Sequence, residues 1–378
     1  MSVKSALDKL LASLGLGNVV EILSSNAISW GELQTLLLYI FEVKASKITP
    51  VDIMRNYENN RLSVIAEVDP RDLLELDRAL YDKLPRIFSA VELAPVSTLG
   101  ANAALTALDP KVSLSTIRNV EVLGDSGMAL GIECAHRRKT ARITKESDET
   151  HLAASHRLLR IQDIPKQGGL TSHFRAFALA SAARDVAGFN KFELSSLYLH
   201  IATWLEFLKW SSDHGFDVKN VSVAISDIRI LKHLISTGQI DQDEVVRRTK
   251  DSSFKPFTTY SIKLPSEIAH ASDIPITYPA LESCIREMEN AEREMVDLLR
   301  NKYPEVRFYF DLERCSGIGY YSGICYKITA QKTTGDRYSL AGGGSCDWTK
   351  KLLQSKRERL ITSGFGTEFF LKKFGSGI

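Results

Sequence analysis

The chain is poor in the features that would place it outside the cell, in a membrane or on nucleic acid. Only five of its 378 residues are cysteines, at positions 134, 284, 315, 325 and 346. None forms a CxxC pair, so no metal site is expected, and an odd number without a secretory signal fits reduced thiols. No run of about 18 apolar residues occurs, so no transmembrane helix and no membrane partner is expected. The N-terminus lacks a basic region followed by an apolar run and a small-residue cleavage site, which points to a cytoplasmic protein. Net charge is only +2, too little to suggest a strong nucleic-acid-binding surface. The short basic runs RRTK (247–250) and KRER (356–359) read as solvated faces. There is no GxSxG elbow, and GGGS lacks the strand–loop–Lys context of a phosphate loop.

What is present is an ordinary globular composition, 44% hydrophobic and 25% charged, long enough for two or three domains with a large core. Residues 1–65 read as a separate helical region. LDKLLASLGLGNVVEIL and WGELQTLLLYIFEV carry apolar residues at i, i+3, i+4 spacing. Ser29 and Glu32 form a capping-box pattern, and Thr49-Pro50 starts another helix. A small helical bundle is the expectation there.

From about residue 68 strands become frequent. A helix starts at Asp69, the short strand AVELAPV follows, and HRLLRIQD (156–163) is a strand. HFRAFALASAARD fits strand or helix on pattern alone, whereas FELSSLYLHIATWLEFLKWSSDHG is a helix with a broad apolar stripe. NVSVAISD alternates as a strand and IRILKHLISTG is a helix stopped by Gly238. Residues 239–268 look like a polar surface insertion. A long helix with alternating charges, VRFYFDLER, GICYKITA, and RYSLAGGGSCD as a strand running into a Gly-rich loop complete the pattern. Many strands joined by short turns argue for an α+β fold, an antiparallel sheet with helices on one side.

The order of four signals is informative: helix then a strand with Pro95; a strand ending Leu159-Arg160, a Gly-rich turn and HFRAF; SGIGYYSGICYKI (316–328) with AGGGSCD; and SGFGTEFF. Over roughly residues 68–375 this resembles the catalytic core of class II aminoacyl-tRNA synthetases. Within that class it is most similar to histidyl-tRNA synthetase and its paralogue, the regulatory subunit of ATP phosphoribosyltransferase. The resemblance makes 68–378 one core domain, with Pro95 in the motif that builds a symmetric dimer interface, and so implies a homodimer.

The resemblance assigns roles residue by residue. Arg160 takes the place of the arginine that grips the ATP α-phosphate, with Gln162 where the family prefers glutamate and Arg175 on the returning strand. A planar guanidinium suits that work because it pairs two phosphate oxygens at once. Asp125, in GDSGMA, stands where a carboxylate would hold a substrate amino group, although a loop Asp also commonly bonds its own backbone. Tyr320 and Tyr321 match the family's paired tyrosines.

The departures are equally specific. Leu179 and Ala183 stand where histidine-binding glutamine and glutamate are expected. Ser316 replaces the catalytic arginine and Gly319 the aspartate of the tyrosine turn. Ser345 replaces a further arginine while Asp347 is kept, and Leu371 replaces the adenine-stacking arginine. Arg314, two residues before Ser316, substitutes for the lost arginine only if the strand bulges. Removing one preorganised charge stabiliser costs about 10²–10³-fold in rate, so several together remove most adenylation. The chain also ends soon after the Gly-Phe-Gly, leaving no anticodon-binding domain, and tRNA charging is therefore not expected.

Three expectations follow. The first is a pseudoenzyme: a small-molecule-binding or regulatory subunit with a degenerate adenylation site and an enzyme partner. The second is an enzyme activating or transferring a carboxylate or amino-acid-like substrate, with ATP and Mg²⁺ as cofactors, Arg160 on phosphate, Asp125 on an amino group, and Tyr320 and Tyr321 on the substrate. The third is an interaction protein whose N-terminal helices do the binding.

Overall fold

The computed structural model describes residues 3–106, 110–144, 149–161, 171–185, 191–249, 251, 253–275 and 279–375. Gln162 and the Gly-rich turn after it lie outside the described residues.

Four helices open the chain: α1 (Val3–Leu14), α2 (Val19–Ser24), α3 (Trp30–Ala45) and α4 (Pro50–Asn59). Their starts are encoded locally. The Ser29 hydroxyl accepts from the Glu32 amide while the Glu32 carboxylate accepts from the Ser29 amide, and Thr49 and Asp52 repeat the exchange at α4. A bundle would bury a shared face, yet no residue from 6 to 69 is buried. Trp30, Tyr39, Phe41, Val51 and Met54 stand exposed. The sequence of α3 is apolar around most of its circumference, so caps and periodicity predict the helix without predicting what covers it.

The remaining chain builds a nine-stranded sheet. Its strands are β1 (Ser89–Ala90), β4 (Glu149–Leu159), β5 (His173–Arg184), β6 (Lys219–Asp227), β7 (Glu267–Ile268), β8 (Arg307–Asp311), β9 (Ile324–Gln331), β10 (Arg337–Cys346) and β11 (Glu358–Phe365), in the order β1-β4-β5-β11-β10-β9-β6-β8-β7. The pairs β1/β4 and β6/β8 are parallel and the other six are antiparallel. A two-stranded ribbon pairs β2 (Val96–Thr98) with β3 (Val120–Val122). The single strand expected over AVELAPV is thus two short pieces around Pro95, which has no N–H for a ladder.

Helices cover both faces, not one. On one face lie α5 (Pro70–Lys83), α8 (Lys191–Asp213) and α15 (Thr367–Phe374); on the other lie α6 (Ala101–Thr106), α7 (Ser126–Thr144) and α14 (Trp348–Leu352). The period of two along β5 explains this. Phe177 and Leu179 join Leu197, Ile201 and Trp204 of α8 in one core, while Ala178, Ala180 and Ala182 meet Met128, Leu130 and Cys134 of α7 in another. A strand buried on both faces shows no polar alternation, which is why its pattern was ambiguous.

Three further elements differ from expectation. Gly342–Gly344 are not a loop but lie within β10, because neighbouring strands come too close for a side chain. A Cβ at Gly344 would sit 2.4 Å from the Cys325 Cβ, and one at Gly343 2.4 Å from the Ser363 Cβ. The segment 239–268 contributes α10 (Gln242–Arg248), following α9 (Ile228–Ser236), and α11 (Pro256–Thr259), and buries Ile240, Val245, Phe254, Phe257 and Leu264 in the main core. The long charged helix is α12 (Glu282–Ala291), a π-helical turn Glu292–Val296 and α13 (Asp297–Lys302). Its Glu292 is turned inward, accepting from the Ala271 amide at 2.7 Å and paired with Arg300. None of the described helices is long and apolar enough to cross a membrane.

Candidate functional site

A cavity of about 930 Å³ opens on the α7 face of the sheet. Its floor comes from β5 (Phe174, Ala176, Ala178), β10 (Gly342) and β11 (Thr362, Gly364), and its side from the turn 316–321. Ile235, Gln242, Val245 and Val246 of α9 and α10 form the remaining wall. Val245 and Val246 of the 239–268 segment are therefore part of the wall of the site.

Asp125, Arg160, Arg314, Tyr320 and Tyr321 all line this one cavity. Asp125 sits at the N-terminus of α7, where its Oδ1 accepts from the Met128 amide at 2.9 Å. The same carboxylate accepts from Arg160 Nη2 at 3.2 Å and from the Tyr320 hydroxyl at 3.2 Å. Arg160 also donates from Nε to the Gly124 carbonyl at 2.6 Å. Asp125 is thus both the backbone-bonding loop residue and a cavity-lining acid, and Arg160 is neutralised by it.

The turn that carries the tyrosines has a local cause. Gly317 adopts φ +84°, and a Cβ there would lie 2.6 Å from the Tyr321 ring. The amides of Tyr320 and Tyr321 both donate to the Gly317 carbonyl at 2.9 Å. The two rings meet edge to face at 5.0 Å, and Tyr320 packs on Trp348 at 4.8 Å. Burial in the cavity wall pushes both phenols well above their ordinary range, so both are neutral donors at physiological pH.

Arg314 reaches the cavity from the turn after β8, so no strand bulge is involved. Its Nε donates to the Ser316 carbonyl and hydroxyl at 3.0 and 3.2 Å, and its guanidinium lies 5.5 Å from the Tyr321 ring. Lys232, on α9, lines the cavity too and donates to the Tyr321 carbonyl at 2.7 Å. Its ammonium is pushed down by burial. Sequence reasoning missed Lys232, because a lysine on a surface-like helix carries no motif.

Two further candidates stand apart. Arg175 is not a cavity residue: its guanidinium pairs with Asp77 of α5 at 2.6 Å and donates to the Ser155 hydroxyl. Asp347 precedes α14 and pairs with Lys351 at 3.0 Å, beside the cavity lining rather than in it. Leu179 is also displaced, since it faces α8; the β5 positions that meet the cavity are Phe174, Ala176, Phe177 and Ala178. The alternation carries Ala183 to the α8 face with it. The wall is apolar in either register. Pro95 is exposed, between β1 and β2, and its carbonyl accepts from the Leu123 amide.

Among the described residues, the side chains assigned to ATP by the resemblance are engaged elsewhere. Both arginines at phosphate positions are tied to protein carboxylates, and Leu371 packs against the core. Among the described residues no group of three or more metal-ligating side chains gathers.

No protein-family model matches the sequence, and no curated protein matches it. Solved structures do match. An ATP phosphoribosyltransferase regulatory subunit/histidyl-tRNA synthetase from Bacillus halodurans aligns with a TM-score of 0.58 at 13% identity, over 81% of this chain and 80% of that one. Histidyl-tRNA synthetase from Nostoc sp. gives 0.57 at 13%, over 83% and 74%. Apo histidyl-tRNA synthetase from S. aureus gives 0.51 at 12%, over 82% and 72%. The chain has the class II synthetase-like fold, resembling histidyl-tRNA synthetase and the regulatory subunit; at these identities the likeness is one of fold.

Proposed function

We propose that this chain is a cytoplasmic, ligand-binding protein of regulatory-subunit type, a homodimer that serves an enzyme partner and does not adenylate. The observation that carries the reading is the state of the cavity's charges. The tyrosine turn and Asp125 are kept, Ser316 and Gly319 stand where the charged groups would be, and Arg160 is consumed by Asp125. A cleft of this size with largely apolar walls and a few convergent polar groups supports a ligand-binding role. Each missing charge stabiliser is worth about 10²–10³-fold in rate, so the pocket keeps its shape with most of the means for adenylation lost.

Partner and dimer rest on independent supports. The Bacillus halodurans neighbour is named a regulatory subunit, and such a subunit acts through another protein. The α5–β1 unit lies at an end of the sheet, where β1 pairs only with β4 and Pro95 is exposed, an open edge that a second copy would cover. Thermal unfolding with and without ATP and Mg²⁺ tests the non-adenylating reading: no stabilisation is expected, and a strong one contradicts it.

A further inference from the structure

The cations that line or adjoin the cavity differ in how they are compensated. Arg160 and Arg175 each hold a carboxylate. Arg314 does not. It is 8% exposed, its Nη1 is buried with no acceptor, and its Nη2 lies beside Gly342 on the cavity floor. Lys232 is half-buried and donates to a carbonyl, while the Asp347 and Asp227 carboxylates act on it from farther off. Among the described residues no carboxylate lies within ion-pair distance of either. The acids nearest Arg314 in the chain, Asp311 and Glu313, line a second small cavity together with it; Glu313 pairs there with Lys255 at 3.3 Å, and Asp311 feels the Arg314 charge without forming an ion pair with it. A buried charge without a counter-ion is strongly unfavourable unless something supplies one.

Both of these cations, which lack an ion pair, touch the same residue. The Arg314 guanidinium lies against the Tyr321 ring and Lys232 bonds the Tyr321 carbonyl, so a fork and a point charge line the same cavity from two elements, on either end of one residue. We propose that the cavity binds an organic phosphate monoester, its doubly charged phosphate held by Arg314 and Lys232 beside Tyr321 rather than at Arg160. Two positive charges match a dianion, where a single carboxylate matches one. Tetrahedral oxygens accept a bidentate guanidinium and an ammonium from separate directions. Ile235, Val245, Val246, Phe174 and Phe365 supply an apolar wall for the ester's organic part. The proposal rests on the cavity being a ligand site and assigns the chemistry of its ligand.

The test uses phenyl phosphate, inorganic phosphate and benzoate as probes, with binding followed by calorimetry and thermal shift on the full chain. Phenyl phosphate binds the native protein and benzoate at least tenfold more weakly. Arg314→Gln and Lys232→Met each weaken phenyl phosphate at least tenfold, while Lys209→Met, exposed on α8, leaves it unchanged. Lost phenyl phosphate binding in Arg314→Gln that still unfolds cooperatively marks a ligand-binding arginine; a lowered melting temperature with unchanged binding marks a merely structural one. Equal binding by all variants, or no binding of either phosphate, overturns the proposal. Benzoate binding without phenyl phosphate binding overturns the phosphate assignment while the cavity stands as a ligand site.

Discussion

Burial of His200 makes a pH-dependent stability term that can be worked out from the structure. This histidine lies on α8, fully buried, with Nε2 2.9 Å from the Ser181 hydroxyl on β5 and Nδ1 2.9 Å from the Ser363 hydroxyl on β11. Burial first, and the neighbouring His151 second, lower its pKa from 6.5 to about 3. The unfolded chain therefore takes up a proton as pH falls below 6.5, and the folded chain does not until about pH 3. Stability is fully present above pH 6.5 and is lost between those two values, at about 1.4 kcal/mol per pH unit. From pH 7 to pH 5 the loss is about 2 kcal/mol. The assay is urea unfolding at both pH values for the native protein and His200→Gln. The variant is less stable at pH 7 because it disturbs two hydrogen bonds, but its loss on going to pH 5 is smaller by about 2 kcal/mol. Burial also lowers the pKa of His156, and that contribution is common to both proteins. An equal loss in native protein and variant would refute the argument.

Two glycines of β10 separate stability from binding. Gly344→Ala drives a methyl onto the Cys325 Cβ and Cα at 2.4 and 2.8 Å and costs about 3 kcal/mol, read as a lowered unfolding midpoint. Gly342→Ala meets nothing nearer than 3.5 Å, so it folds normally while its methyl narrows the cavity beside Arg314 and weakens phenyl phosphate binding. Asp125→Ala removes the bond to the Met128 amide, costs about 1–2 kcal/mol in melting stability, and frees Arg160. Phosphate affinity then rises, because a second uncompensated guanidinium faces the cavity.

The sequence was most legible where structure is local. Capping boxes at Ser29 and Thr49, the α8 stripe and the turn set by Gly317 follow from neighbouring residues. The synthetase-like order of elements was readable from short motifs, and the cavity draws on several of them. What stayed hidden depends on distant partners. Strand β5 is buried on both faces and lost its alternation, so the sequence did not show that Leu179 faces α8 rather than the pocket. Gly342–Gly344 looked like a loop because close strand approach leaves no mark but glycine. Arg175 looked free because Asp77, its partner, is 98 residues away. Lys232 and the Gln242–Val246 wall belong to no motif and reach the site only through folding.

The central claim is that the cavity binds a ligand without activating it. ATP–pyrophosphate exchange tests this most directly, run with Mg²⁺ on the native chain across histidine, the other common amino acids and simple carboxylic acids. The account predicts no exchange above background with any acid. Exchange dependent on one acid, and abolished by Arg160→Gln, would contradict it.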